Sequence, residues 1–185
     1  MSYNANMAGE EQWNDFVPHY WSVPSGSASP DLVTLPGATI ISQWAFDGQN
    51  TAETLETQFE IMHDYKLGSL VYPHVHWSPS TADAGNVKWF IYYSIADAMG
   101  EFSAETVSSV VQAAGGLGAN GRVIHQIVEF PALDLSNYDI GAQIRLAIRR
   151  VPGDAQDTYG ADAFMHAVGI HYQSDTRGSR QRFTK

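Results

Sequence analysis

The chain has 185 residues, of which 44 % are hydrophobic and 12 % aromatic, and its formal net charge is −10. This composition is typical of one globular domain and excludes an intrinsically disordered chain. The chain has no cysteine, which excludes disulfides and thiolate metal sites. The sequence contains no apolar run of about 18 residues, so we expect no membrane-spanning helix. The polar N-terminus has no Lys or Arg and does not resemble a signal peptide, so we expect folding in the cytoplasm.

Apolar and polar residues alternate along most of the chain, which predicts β-strands. The first is an edge strand over residues 16–23, where Pro18 is tolerated. The others are expected, in chain order, over residues 38–46, 57–62, 70–77, 86–95, 123–130, 140–151 and 164–173. Residues 104–114 fit either a helix or a strand, and a glycine-rich loop follows them. About eight strands with turn-rich connections predict a single antiparallel β-sandwich, jelly-roll-like in type.

The two ends of the chain differ from the region between them. Residues 1–12 are expected to form a flexible arm, residues 13–176 the β-sandwich domain, and residues 177–185 a basic tail. Residues 1–176 hold all twenty acidic residues and six basic ones, a net charge near −14, whereas the tail holds four basic residues and no acid. The acidic domain argues against nucleic-acid binding. Four tail residues are candidate assembly contacts with an acidic surface: Arg177, Arg180, Arg182 and Lys185.

His74 and His76 form the sharpest candidate site in the sequence. Alternate residues of a strand point to the same face, so both imidazoles can reach one metal ion. Cupin-type barrels use such a His-x-His pair together with a Glu a few residues later, and residues 77–86 contain no Glu. His166 or His171 is a possible further ligand. We predict that the pair is structural, packed among aromatic residues such as Tyr72 and Tyr92, and that the chain binds no metal or cofactor.

Other signals of catalysis are weaker. The sequence has no Gly-x-Ser-x-Gly elbow, no phosphate-binding loop and no cysteine nucleophile, so we predict that the chain is not an enzyme. Asp154, Asp157 and Asp162 lie in a polar loop, where spaced acids can bind calcium. Their spacing does not match an EF-hand, and the sequence therefore favours a solvated loop.

Aromatic residues offer another type of site. Flat rings stack on the faces of sugars, whereas large rings more often fill a core or a subunit contact. The sequence favours the core and leaves carbohydrate binding as the alternative. The rings considered for a sugar-binding face are those of Trp13, Tyr20, Trp21, Trp44, Trp77 and Trp89.

Two stretches resemble a known family. The first comprises His63-Asp64-Tyr65, Pro73-His74-Val75-His76-Trp77 and Gly85-Asn86-Val87-Lys88-Trp89, with Tyr92 after it; the second is His171-Tyr172-Gln173-Ser174-Asp175-Thr176-Arg177-Gly178-Ser179-Arg180-Gln181. Together they resemble small β-rich virion structural proteins of tailed bacteriophages, from about residue 55 to the C-terminus. The family has no defined catalytic residues to transfer to this chain.

This resemblance implies a virion structural protein that acts through protein–protein contacts. The leading hypothesis is a capsid decoration or head-surface unit, located in the virion. Its partners would be other copies of itself, as a homotrimer by analogy with other phage sandwich proteins, and virion proteins such as the major capsid protein; neither nucleic acid nor membrane is expected. Two alternatives remain open: a tail or fibre module that binds host glycan, and a cupin-like metal-dependent enzyme.

Overall fold

The computed structural model describes residues 12–181, which form two antiparallel β-sheets packed face to face. This arrangement confirms the predicted all-β sandwich, with eleven strands in place of about eight. Among the described residues, no helix has the length and apolar character needed to cross a membrane. The strands are β1 (Gln12–Phe16), β2 (Asp31–Thr34), β3 (Ser42–Phe46), β4 (Glu53–Glu60), β5 (Leu70–Pro79), β6 (Asn86–Ala96), β7 (Thr106–Ala113), β8 (Gln126–Glu129), β9 (Leu133–Asp134), β10 (Gln143–Arg150) and β11 (Ala163–Ser174).

The large sheet has seven strands in the order β2-β3-β11-β5-β8, with β1 also paired to β11 and β9 also paired to β5. The small sheet has four strands in the order β4-β10-β6-β7. Strand β3 pairs with the first residues of β11, and β1 pairs with its last residues. Strands β3 and β1 therefore follow each other along the same side of β11. The two longest central strands of the large sheet, β5 and β11, therefore have neighbours along most of their length.

The core lies between the two sheets and is built from alternate residues of each strand. Val75 and Trp77 of β5 are fully buried, and so are Trp89 and Ile91 of β6, as the alternation in the sequence predicts. The Trp77 and Trp89 rings meet edge to face across the core, with centroids 6.1 Å apart. These two tryptophans therefore hold the two sheets together rather than face a ligand.

Several predicted elements differ from the structure. The first strand ends at Phe16 instead of beginning there, because Pro18 has no N–H to give to a ladder. Residues 106–113 form β7, a strand and not a helix, in which β-branched residues suit the pleated sheet. The predicted flexible arm includes Gln12, which pairs with Ser174 as part of β1, while residues 1–11 lie outside the described residues.

Arg150 is a charged residue that lies in the core, at an inward-facing position of β10. It continues the inward-facing series of Ile144, Leu146 and Ile148, and its side chain is fully buried. Its Nε and Nη2 atoms each donate to a carboxylate oxygen of Asp157 at 2.9 Å. Further donors reach backbone carbonyls of the surrounding strands and loops, so the guanidinium is well satisfied despite its burial.

The loop that holds Asp154 and Asp157 is exposed at Gly153, Gln156 and Thr158, as expected of a solvated loop, but its two carboxylates are paired with cations. The Asp157 carboxylate is 1 % exposed because it pairs with the buried Arg150. Asp154 accepts hydrogen bonds from Lys88 Nζ at 3.0 and 3.2 Å, which ties the loop to β6. These acids anchor the loop to the small sheet, through Lys88 of β6 and through Arg150 of β10, which lies seven residues before Asp157.

Candidate functional site

The outward face of the large sheet carries the candidate site. Tyr72, His74 and His76 alternate along β5 with core residues, as predicted, and point away from the core. Tyr72 lies opposite His171 of β11, and His171 lies opposite Asp15 of β1. Directly opposed residues of antiparallel strands share a face, so three strands bring their polar and aromatic side chains together there.

Trp13 and Tyr72 form the aromatic part of this face. Their rings are edge to face, with centroids 5.5 Å apart, and the Trp13 residue is 46 % exposed. With Glu129 and His171 they line a cleft of about 390 Å³, which we call the Trp13–Tyr72 cleft. The same two aromatic residues also line a second cleft of about 320 Å³ that extends over the loop before β5. The exposed indole thus borders two adjoining depressions.

A row of histidines runs beside this cleft. His171 stacks on His74 with ring centroids 4.0 Å apart, and His74 meets His76 edge to face at 5.0 Å. His76 Nδ1 lies 2.9 Å from His125 Nε2, and the His125 and His166 centroids are 6.1 Å apart. The register of β11 against β5 shifts between Met165 and Ala167, and this bulge brings His166 to the outward face.

The surroundings of the predicted histidine pair differ from expectation in one respect. Tyr72 shares their face, but Tyr92 lies on β6 of the small sheet, on its outward side, so the predicted packing against Tyr92 is wrong. Burial lowers the pKa of His74, and the neighbouring His171 lowers it further while Asp15 opposes the shift. Burial and His125 likewise lower the pKa of His76. Both shifts favour the neutral form of the imidazole.

Three groups on this face have the chemistry to hold a metal ion. Asp15, His74 and His171 each offer a ligand atom, and these atoms all lie within 4.8 Å of one another. His74 Nε2 is 3.6 Å from Asp15 Oδ1. Sequence reasoning considered both histidines but missed Asp15, because only the pairing of β1 with β11 brings it to the site.

The aromatic residues considered for a sugar-binding face lie in three places. Trp77 and Trp89 are in the core, and Trp21 and Trp44 pack against it, as the favoured interpretation predicts. Trp13 alone joins the Trp13–Tyr72 cleft. The alternation along β5 predicts that Tyr72 lies on the outward face, whereas no pattern in the sequence identifies Glu129 as a residue of the cleft. The sixth residue, Tyr20, is exposed and lines a separate cleft with Glu56 and Arg145.

The basic tail is described only in part. Arg177 and Arg180 are exposed, and within residues 12–181 neither forms an ion pair. Arg182 and Lys185 lie outside the described residues. Ser179 ties the start of the tail to the domain, since its hydroxyl is 2.7 Å from His63 Nδ1. The role of these four residues as assembly contacts stays a prediction.

Comparison with known proteins gives structural likenesses alone. No family model and no curated protein matches the sequence. The chain is similar to the CBM36-1 domain of a multidomain xylanase from the hindgut metagenome of Trinervitermes trinervoides, with 12 % identity, a TM-score of 0.39, and 90 % of this chain and 100 % of that chain covered. A second likeness is to TmCBM61 in complex with β-1,4-galactotriose, with 10 % identity, a TM-score of 0.36, and 85 % and 86 % covered. A third is to SACOL2612, a CocE/NonD family hydrolase from Staphylococcus aureus, with 8 % identity, a TM-score of 0.34, and 92 % and 36 % covered. At these scores the likenesses carry no argument about ligand or activity.

Proposed function

We propose that this chain is a non-catalytic binding module for glycans and that its ligand site is the Trp13–Tyr72 cleft. The observation that carries the proposal is the exposed Trp13 indole, fixed edge to face against Tyr72 at 5.5 Å, beside the polar Glu129 and His171. An aromatic ring offers a flat apolar surface for the C–H face of a sugar. Carboxylate and imidazole groups beside it accept and donate hydrogen bonds to sugar hydroxyls.

The size of the cleft suits a short oligosaccharide. Its volume of about 390 Å³ falls in the range of ~300–1,000 Å³ found for small-molecule sites. The second cleft, which shares Trp13 and Tyr72, offers room for a further sugar unit along the same surface. A chain of sugars would therefore cross the aromatic pair rather than end on it.

The carboxylate content of the cleft favours binding over hydrolysis. Glycoside hydrolysis ordinarily uses two carboxyl groups on either side of the scissile bond. Among the described residues that line the Trp13–Tyr72 cleft, Glu129 is the one carboxylate. The proposed module therefore holds a glycan without cleaving it.

The experiment that tests this proposal is a screen of the purified protein on an array of defined oligosaccharides. Wild-type protein is expected to bind one class of glycan, and Trp13→Ala protein is expected to lose that signal. Tyr20→Ala is the matched control, because Tyr20 is also an exposed aromatic residue but lines another cleft. Absence of binding to every glycan, or equal binding by Trp13→Ala, would refute the proposal.

A second candidate function is the virion assembly unit that the sequence resemblance implies, and it is compatible with a glycan site. It is favoured by exposed apolar residues at the β2 edge of the large sheet and in the connection from β2 to β3: Leu32 of β2 is 61 % exposed, and Ile40 and Ile41 of the connection are 89 % and 60 % exposed. An edge strand with exposed apolar side chains tends to pair with another chain. We propose this edge as a contact within a homotrimer or with a capsid protein. Detection of the protein in purified phage particles tests this function, and its absence from them would exclude it.

A further inference from the structure

We propose that Asp15, His74 and His171 form a binding site for one divalent transition-metal ion, with zinc as the preferred ion. The three side chains come from β1, β5 and β11, and their ligand atoms lie within 4.8 Å of one another. This site goes beyond the proposed glycan function, although His171 also lines the Trp13–Tyr72 cleft. It also departs from our prediction that the histidines are purely structural.

The distances are close to those that zinc requires. Zinc binds imidazole nitrogen and carboxylate oxygen at ~2.0–2.2 Å, which places tetrahedral ligand atoms about 3.4 Å apart. His74 Nε2 and Asp15 Oδ1 are already 3.6 Å apart. The side chains of Asp15 and His171 are 42 % and 38 % exposed, so small rotations can bring them to an ion. The buried His74 would be the fixed ligand.

A second observation is the absence of hydrogen bonds to the His74 ring. The residue is completely buried, and neither Nδ1 nor Nε2 has a hydrogen-bond partner among the described residues. Buried polar atoms are nearly always paired, because burial removes the hydrogen bonds that water supplied. Of the two ring nitrogens, Nε2 lies 3.6 Å from Asp15 Oδ1. A metal ion between them would give the buried Nε2 its missing partner.

A third observation is Gly169, which lies opposite His74 on β11. A Cβ atom at this position would come within 2.7 Å of His74 Nε2 and 2.9 Å of Asp15 Oδ1. A side chain there would therefore occupy the space beside the two donor atoms. Glycine keeps that space open.

The donor set selects the class of ion. Two imidazoles and a carboxylate suit zinc and the neighbouring transition metals, whereas calcium and magnesium prefer oxygen ligands. Within the described residues His76 is not part of this group, since its Nδ1 faces His125 Nε2 at 2.9 Å. The site thus uses one histidine of the predicted His-x-His pair and takes its other histidine from β11.

The test is a zinc titration of untagged protein that has first been stripped of metal with a chelator. We expect one zinc ion per chain, and at least a tenfold loss of affinity in Asp15→Asn and in Gly169→Ala. His125→Gln and His19→Gln are matched controls that remove an imidazole outside the group and are expected to bind zinc as wild type does. Circular dichroism verifies the fold of each variant, and Asp15→Asn, at an exposed position, tests the site even if another variant unfolds.

The outcomes separate this site from the glycan proposal. Asp15 does not line the Trp13–Tyr72 cleft, so Asp15→Asn is expected to lose zinc binding and to keep glycan binding. Visible absorption of the cobalt(II) form, lost in Asp15→Asn, would give an independent signature of coordination by these ligands. Absence of saturable zinc binding, an unchanged affinity in Asp15→Asn, or a loss confined to His125→Gln would overturn the inference.

Discussion

The indole of Trp13 and the phenol ring of Tyr72 meet edge to face, with centroids 5.5 Å apart, across a strand to which neither belongs. Trp13 lies on β1 and Tyr72 on β5, and β11 runs between these two strands. Trp13 pairs with Gln173 and Tyr72 with His171, so the two rings reach across β11 diagonally. The cleft therefore depends on the docking of the first strand of the domain onto the last.

Replacement of Trp13 is expected to change binding far more than stability. Trp13→Ala removes one ring contact at a partly exposed position and is predicted to lower the free energy of unfolding by about 1 kcal/mol. Trp89→Ala is the control, because Trp89 is fully buried between the sheets, and it is predicted to cost ~3–5 kcal/mol. Chemical denaturation of both variants gives the two values. Equal losses would show that Trp13 is a structural residue.

A conservative substitution in the buried ion pair of Arg150 is predicted to lower the free energy of unfolding strongly. Asp157→Asn keeps the shape of the side chain but leaves the buried guanidinium without its counter-charge, at a cost of ~3–5 kcal/mol of unfolding free energy. Asp154→Asn alters the neighbouring pair with Lys88, in which the Lys88 side chain is 13 % and the Asp154 side chain 25 % exposed, and is predicted to cost much less than Asp157→Asn. Thermal or urea unfolding measures both. A milder effect at Asp157 than at Asp154 would contradict this assignment.

Glu53 makes stability depend on pH. Burial raises the pKa of this carboxyl from 4.5 to about 7, although the backbone N–H of Asp47 donates to it at 2.7 Å and opposes the shift. Between these two values the folded chain binds the proton more tightly than the unfolded chain, so the contribution of Glu53 to stability falls as the pH rises from 4.5 to 7. Each pKa unit is worth about 1.4 kcal/mol, which sets an upper limit of about 3 kcal/mol.

The test of this assignment is the Glu53→Gln variant, which cannot titrate. The free energy of unfolding of the variant minus that of wild type is predicted to increase from pH 5 to pH 8, because only wild type loses the contribution of Glu53. Urea unfolding across this range gives both curves. Parallel curves for the two proteins would show that Glu53 does not titrate in this window.

The basic tail is predicted to strengthen contacts between chains. We expect the purified protein to form oligomers, and deletion of residues 177–185 to weaken them with little change in the melting temperature of the domain, because Arg177 and Arg180 are exposed and the deletion removes one hydrogen bond to the domain, that of Ser179 with His63. Added salt is expected to weaken the oligomers of the full chain in the same way, since it screens exposed charges. Light scattering measures both effects. A full-length protein that stays a 20.3 kDa monomer at micromolar concentration would contradict the prediction.

The sequence predicts those features of the fold that depend on neighbouring residues, such as the two faces of a strand. Alternation along β6 identified its buried face, because a strand repeats every two residues whatever its neighbours are. The pairing of β1 with β11 was not readable, since the two strands are almost the whole domain apart and hydrogen-bond through backbone groups that every residue shares. The same long-range pairing hid Asp15 from the search for metal ligands. Arg150 was missed because its partner lies in a loop whose path no local pattern determines.

The most direct test of the proposed glycan function is isothermal titration calorimetry with the oligosaccharide that the array identifies. Wild-type protein is predicted to bind it at one site per chain, and Tyr20→Ala protein is predicted to bind it with the same affinity. Trp13→Ala protein is predicted to bind at least tenfold more weakly, because ring stacking at the Trp13–Tyr72 cleft supplies much of the contact. An affinity for Trp13→Ala equal to that of wild type would contradict the assignment of this cleft as the glycan site.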